Sequence, residues 1–124
     1  MNNSTISKIG VILYALVIAF FGVNHFIKGN GMSGMVPSFL PGGVFWVYLT
    51  GAALILAAIS FLTGKQTKLA GILLAVFLLL VVFTVHLPGI INAPDERSVN
   101  VPMINLIKDL GLAAGALIIA GRGV

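Results

Sequence analysis

The chain has 124 residues, of which 59% are hydrophobic and 8% charged, with seven Lys and Arg against three Asp and Glu. A soluble domain carries about 25% charged residues, so this composition cannot cover a water-facing surface and reads as an all-α, polytopic membrane protein forming one domain over residues 1–124. The absence of cysteine removes thiol–disulfide exchange, thiolate metal ligation and iron–sulfur clusters. The basic residues are scattered at segment ends without interleaved aromatics, which argues for membrane topology rather than nucleic-acid binding.

The first predicted element is an apolar run at 9–27, preceded by Lys8 and closed by Asn24, His25 and Lys28. No small-x-small cleavage site follows it before His25, so it is expected to remain as a membrane span rather than act as a cleaved signal. A Gly- and Pro-rich connection at 28–43 comes next. Its Met35, Val36, Phe39 and Leu40 are apolar enough to predict a segment folded back onto the bundle or dipping into the interface. Further apolar runs occupy 44–62, 69–87 and 102–120. Each approaches the ~20 residues that cross ~30 Å of hydrocarbon. Backbone polar groups in lipid must be satisfied within the segment, which makes these runs helices. Strand alternation is absent, so a β-barrel is not indicated. Pro88 is expected to end the third helix, and Pro102 fits the first turn of the fourth.

Lys8, Lys65, Lys68 and Arg122 fall on one side of this arrangement, and Lys28 and Arg97 on the other. The bias predicts a multi-pass protein of the cell (inner or plasma) membrane with both termini in the cytoplasm, and it puts Trp46 and Tyr48 at the outer interface. Small residues mark expected packing positions, among them Gly22, Gly51, Gly111 and Gly115, the last two spaced i,i+4. They serve either the monomeric bundle or a homodimer seam.

Polar residues inside the spans concentrate in the outer half. Asn24 and His25 end the first helix, His86 ends the third, and Asn105, Lys108 and Asp109 lie in the opening turns of the fourth. Intramembrane ionisable groups face a bundle interior or a hydrated cavity, because facing lipid costs several kcal/mol. These six residues, with Trp46 and Tyr48 in the lid region, are therefore the candidate ligand-binding set. His25 and Asp109 are expected to share one cavity, with His86 as its third wall. Bland roles compete: an interfacial histidine bonded to a carbonyl, a snorkelling Lys108, a structural Asp109 pair. Two histidines can ligate a haem axially, and two histidines with an aspartate can hold a metal. Neither spacing here is specific, and no haem or metal is expected.

Several short motifs appear in a fixed order: Gly22-x-x-His25-Phe26, Val36-Pro37-x-x-Leu40-Pro41, Phe45-Trp46-x-Tyr48-x-x-Gly51, and Lys108-Asp109-Leu110-Gly111 with Gly115. Together they resemble the DoxX-like membrane proteins over nearly the whole chain. The resemblance implies a four-helix transmembrane bundle. It also implies association with quinone-linked redox or oxidative-stress systems, and in distant relatives with assembly chaperones. Members that use redox thiols are not matched, since this chain has no cysteine.

The residues and the resemblance lead to one expected function and two alternatives. The expected function is binding of a quinone, lipid or similar amphiphile in the outer-half pocket, as an accessory subunit of a membrane redox system. The first alternative is a non-enzymatic chaperone or interaction module that contacts other membrane subunits through its small-residue faces. A minimal transporter is the weaker alternative, because a proton-coupled exporter wants a carboxylate in an early helix, and the first three helices have none.

Overall fold

The computed structural model describes residues 2–32, 34, 36 and 41–122. Among the described residues six α-helices appear in chain order: α1 (Asn3–Ile27), α2 (Gly29–Met32), α3 (Val44–Thr63), α4 (Thr67–Val81), α5 (Leu87–Ile91) and α6 (Glu96–Arg122). A π-helical turn, Val82–His86, joins α4 to α5 without a break. Four continuous helical segments of 20–27 residues are long and apolar enough to cross a membrane, and no strand occurs among the described residues. The protein is thus an all-α bundle of four spans with a bilayer as its environment. The expected fold-back of Met35, Phe39 and Leu40 lies outside the described residues, while Val36 is half-buried.

Local chemistry sets the helix ends. Asn2 caps α1 by accepting the Thr5 N–H at 2.8 Å. Gly64 ends α3 in the left-handed conformation, φ +75°, and its N–H returns to the Ser60 carbonyl. The α3–α4 connection is thereby a tight turn. Ahead of α6, the Asp95 carboxylate accepts the Ser98 N–H at 2.7 Å, a bond that holds its carboxyl below the usual carboxylate range.

Two boundaries differ from the sequence expectation, and both involve proline. The fourth span starts at Glu96, so Pro102 lies inside the helix rather than in its first turn. Asp95 supplies the start signal, and the Pro102 ring packs against Gly89, where an added Cβ would come within 3.2 Å of it. Pro88 does not end the third span. It sits one residue inside α5, directly after the π turn. A proline in an α-helix clashes with the carbonyl four residues earlier; the wider i→i+5 turn, in which the Leu87 N–H reaches the Val82 carbonyl, lets the helix continue.

The helices pack as two close pairs, α1 with α3 and α4 with α6. In the first pair Gly22 and Gly51 face each other. A Cβ on Gly22 would lie 3.0 Å from the Gly51 carbonyl, and one on Gly51 would lie 2.9 Å from the Gly22 carbonyl. In the second pair Gly71 lies so close to α6 that a Cβ would come within 2.6 Å of the Ala116 carbonyl oxygen. Across the pairs the Tyr14 ring covers Gly115. The core between them is built from Ala15, Ile18, Leu54, Ala58, Phe61, Leu74, Ala75, Ala113 and Ala116, among others. Large apolar side chains such as Leu13, Phe20, Leu56, Phe83 and Ile118 point outward, as a lipid-facing surface requires.

Gly111 corrects one expected packing position. It is exposed, and a Cβ there would meet nothing within 4 Å. The buried stripe of α6 runs through Asp109, Ala113, Ala116 and Ala120. Gly111 lies two residues from Asp109, about 200° around the helix, and so faces away from that stripe. Substitution by leucine separates these sites. Gly71→Leu and Gly115→Leu should each destabilise the detergent-solubilised bundle by about 1–3 kcal/mol through overpacking, whereas Gly111→Leu should leave the melting temperature within error. Equal losses at all three would place Gly111 at a helix contact.

Candidate functional site: a buried His–Asp pair with Lys108

The buried line of α4 passes through Gly71, Leu74, Ala75 and Leu78 and continues through Val82 and His86 in the π turn. His86 lies fifteen positions after Gly71 (86 − 71). In an unbroken α-helix at ~100° per residue it would stand about 60° off that line. The π turn takes up one extra residue and rotates His86 back toward α6. Helical side chains lean toward their own N-terminus. On antiparallel neighbours, His86 and Asp109 therefore lean toward each other along the bundle axis.

They meet at 2.7 Å, His86 Nε2 to Asp109 Oδ2. His86 is 5% exposed and Asp109 6%. Lys108 follows a different path. Consecutive helical residues diverge by ~100°, so its stem leaves Asp109's face and reaches toward α1. There its ammonium lies 4.3 Å from the Phe21 ring centroid and 3.6 Å from Asp109 Oδ1. One carboxylate is thus shared by an imidazole and an ammonium. Lys108 balances its charge, which lowers the cost of ionised groups in hydrocarbon. One turn deeper, the Tyr14 hydroxyl donates to the Leu112 carbonyl. Tyr14 and Phe21 thereby tie α1 to the same stretch of α6.

One polar atom in this cluster has no partner. With Nε2 donating to the carboxylate, the other ring nitrogen, Nδ1, is buried and makes no hydrogen bond among the described residues. Buried polar atoms are nearly always satisfied, and an exception calls for an explanation. In the neutral ring Nδ1 is an acceptor; in the imidazolium it is a donor.

The residues expected to share one outer-half cavity fall into two groups in the structure. His86, Asp109 and Lys108 are brought together, whereas His25 belongs to the α1–α3 pair. Its Nδ1–H donates to the Phe21 carbonyl of its own helix at 2.6 Å, and its Cβ packs on Gly51. The physical reason is rotation about the helix axis: depth alone places His25 level with the cluster, but its face of α1 is the one turned to α3. His86, expected as the third wall, is the centre. Asn24 and Asn105 are half-buried, with no side-chain hydrogen bond to the cluster. Tyr48 stacks on Phe26 with centroids 5.7 Å apart, and its ring covers Gly29. Trp46 Nε1–H donates to the Pro41 carbonyl at 2.5 Å. Both aromatics serve the α1–α3 end and the start of α3. Sequence reading missed Tyr14 and Phe21, which sit in an apolar run with nothing to set them apart, and it missed Gly71. A signal for Tyr14 exists in its position beside the small and apolar stripe Val11, Ala15, Ile18 and Gly22.

Fold and cluster together define a small four-span membrane protein with a buried His–Asp pair between α4 and α6 and Lys108 beside it. The model of a domain of unknown function, DUF8561, matches residues 14–120, and the chain belongs to that family. The matched region starts at Tyr14 and ends at Ala120, so it encloses the packing contacts and the cluster. No curated protein and no solved structure matches the chain.

The two histidines should differ sharply in their effect on stability. His86→Ala strands Asp109 with only the longer Lys108 contact and should cost roughly 3 kcal/mol. His25→Ala removes one local bond and should cost about 1 kcal/mol. Thermal unfolding in detergent checks the order; a larger loss for His25 would contradict the assignment.

Proposed function

We propose that this protein binds a small amphiphile, a quinone or a lipid-like molecule, with the polar head of the ligand at the His86–Asp109–Lys108 cluster. The observation that carries the reading is the buried, unpartnered Nδ1 of His86. A ligand hydroxyl satisfies it as a donor to neutral imidazole, and a ligand carbonyl satisfies it as an acceptor from imidazolium. The two states of a quinone head, carbonyl and hydroxyl, fit both forms of the ring. The π turn that positions His86 adds support, since such turns recur at functional sites. The chain has no cysteine to supply electrons, so in this reading it holds the amphiphile as an accessory subunit and a partner in a membrane redox system supplies the electrons. The likeness of its motifs to the DoxX-like proteins supports that setting. The rival reading, an interaction or chaperone module, is weakened by the glycines: Gly22, Gly51 and Gly115 are used up in contacts inside the bundle.

Mass spectrometry of organic extracts from the purified protein tests this. A quinone or related amphiphile should copurify near one equivalent with the wild type and fall at least tenfold in His86→Phe, which keeps ring volume but removes both nitrogens. Extracts holding only bulk lipid, or a ligand retained unchanged by His86→Phe, would overturn it.

The same reading sets the protein in the cell (inner or plasma) membrane with both termini cytoplasmic, supported by Lys8, Lys65, Lys68 and Arg122 at the end of the bundle that holds the termini. The native chain has no cysteine, so single-cysteine variants report topology cleanly. In intact cells an impermeant thiol reagent should label Asn92→Cys but not Ser4→Cys. The reverse pattern would invert the orientation.

A further inference from the structure

α3 and α4 meet at the tight turn and leave an open face beside it. A groove of about 720 Å³ runs there between α3 and α4. It begins at the tight turn, with Ser60, Thr63, Lys65 and Gln66, and ends near Ala53 and Phe77. From Gln66 to Phe77 is eleven positions (77 − 66), about 16 Å of helix and so about half of a ~30 Å hydrocarbon core. The groove is therefore one leaflet long. Its walls are apolar along the length, and its polar groups are confined to the mouth. Of these, the Ser60 hydroxyl is engaged by the Lys65 carbonyl and the Thr63 hydroxyl by the Ile59 carbonyl. The Lys65 ammonium is the charged group left at the mouth, with no carboxylate in ion-pair range among the described residues. The chain's three acids are Asp95 and Glu96 at the far end of the bundle and Asp109 inside it. The acidic side chains of the chain are thus all away from Lys65.

We propose that this groove is a lipid site that takes one acyl chain of an anionic phospholipid, with the headgroup phosphate at Lys65. The leaflet-long apolar trough fits the chain, and the single cation at its mouth fits the headgroup. Basic pockets between membrane helices bind anionic lipid headgroups on this principle. A second copy of the protein is a poor occupant. A two-fold contact through this face sets Lys65 of both copies at the same end of the interface, like charge against like. The site is separate from the His86 cluster, and its test is independent of that reading.

Native mass spectrometry of the full chain, released from detergent containing equal phosphatidylglycerol and phosphatidylcholine of matched acyl chains, provides the test. Wild type should retain one phosphatidylglycerol in about fivefold preference, the factor that one basic side chain near a membrane surface supplies. Lys65→Gln should retain either lipid without preference. Ala53→Trp, which fills the groove from its exposed wall, should retain neither. Arg122→Gln, which removes a charge at the same end but outside the groove, should keep the wild-type preference. Equal retention of both lipids by wild type, or a preference that survives Lys65→Gln, would overturn the proposal. A dimer abolished by Ala53→Trp would assign the groove to a second copy instead.

Discussion

Helices in hydrocarbon gain little by hiding apolar surface from a solvent that is itself apolar, so the bundle depends on how closely its backbones approach. That approach is made at two places. Gly22 and Gly51 let α1 and α3 touch carbonyl to glycine, and Gly71 lets α4 lie against the Ala116 carbonyl of α6. Each supplies short-range dispersion contacts that larger side chains would hold apart. The alanine-rich core follows from the same requirement, and the large apolar residues are left for the lipid. Everything polar in the bundle is arranged within the geometry these contacts set.

The ionisable cluster shows the consequence. Asp109 falls on the alanine stripe of α6, so the close α4–α6 approach that suits the alanines also buries a carboxylate. A buried acid without partners would be severely destabilising. His86 and Lys108 meet it from different sides, and Lys108 in turn lies over Phe21 of the other helix pair. One carboxylate thereby links three elements: α6 itself, the π turn and α1. Through Lys108 over Phe21 the cluster also ties the α4–α6 pair to α1, and the groove between α3 and α4 lies elsewhere on the bundle.

Much of this was legible in the sequence. Composition and four apolar runs were enough for the all-α membrane bundle, because lipid leaves the backbone no other option. Asp109, Lys108 and His86 were legible as candidates by the cost of burying charge. What the sequence did not show was azimuth. Depth along a span is counted from residue number, but which neighbour a side chain faces depends on pairing between helices. His25 and His86 look alike by depth and belong to different helix pairs. The same limit applied to Gly111, whose spacing with Gly115 suggested one packing face where the structure has Gly115 alone under Tyr14. Pro88 and Pro102 were read as boundaries because proline breaks an isolated helix; here a π turn and a glycine contact accommodate them.

The turn at Val82–His86 has a consequence for comparing sequences. The third span holds one residue more than an α-helix of its pitch would need. Removing one of those five residues restores regular winding and leaves the later positions of the span facing α6 much as they do here, because the π turn already takes up that residue. A relative one residue shorter here can therefore keep the His–Asp contact without a π turn, whereas one of equal length with regular winding turns every later position by about 100° and lacks it. In an alignment a single gap column between 82 and 86 therefore marks a regularly wound span that keeps this facing, while a member without the gap needs the π turn to do so.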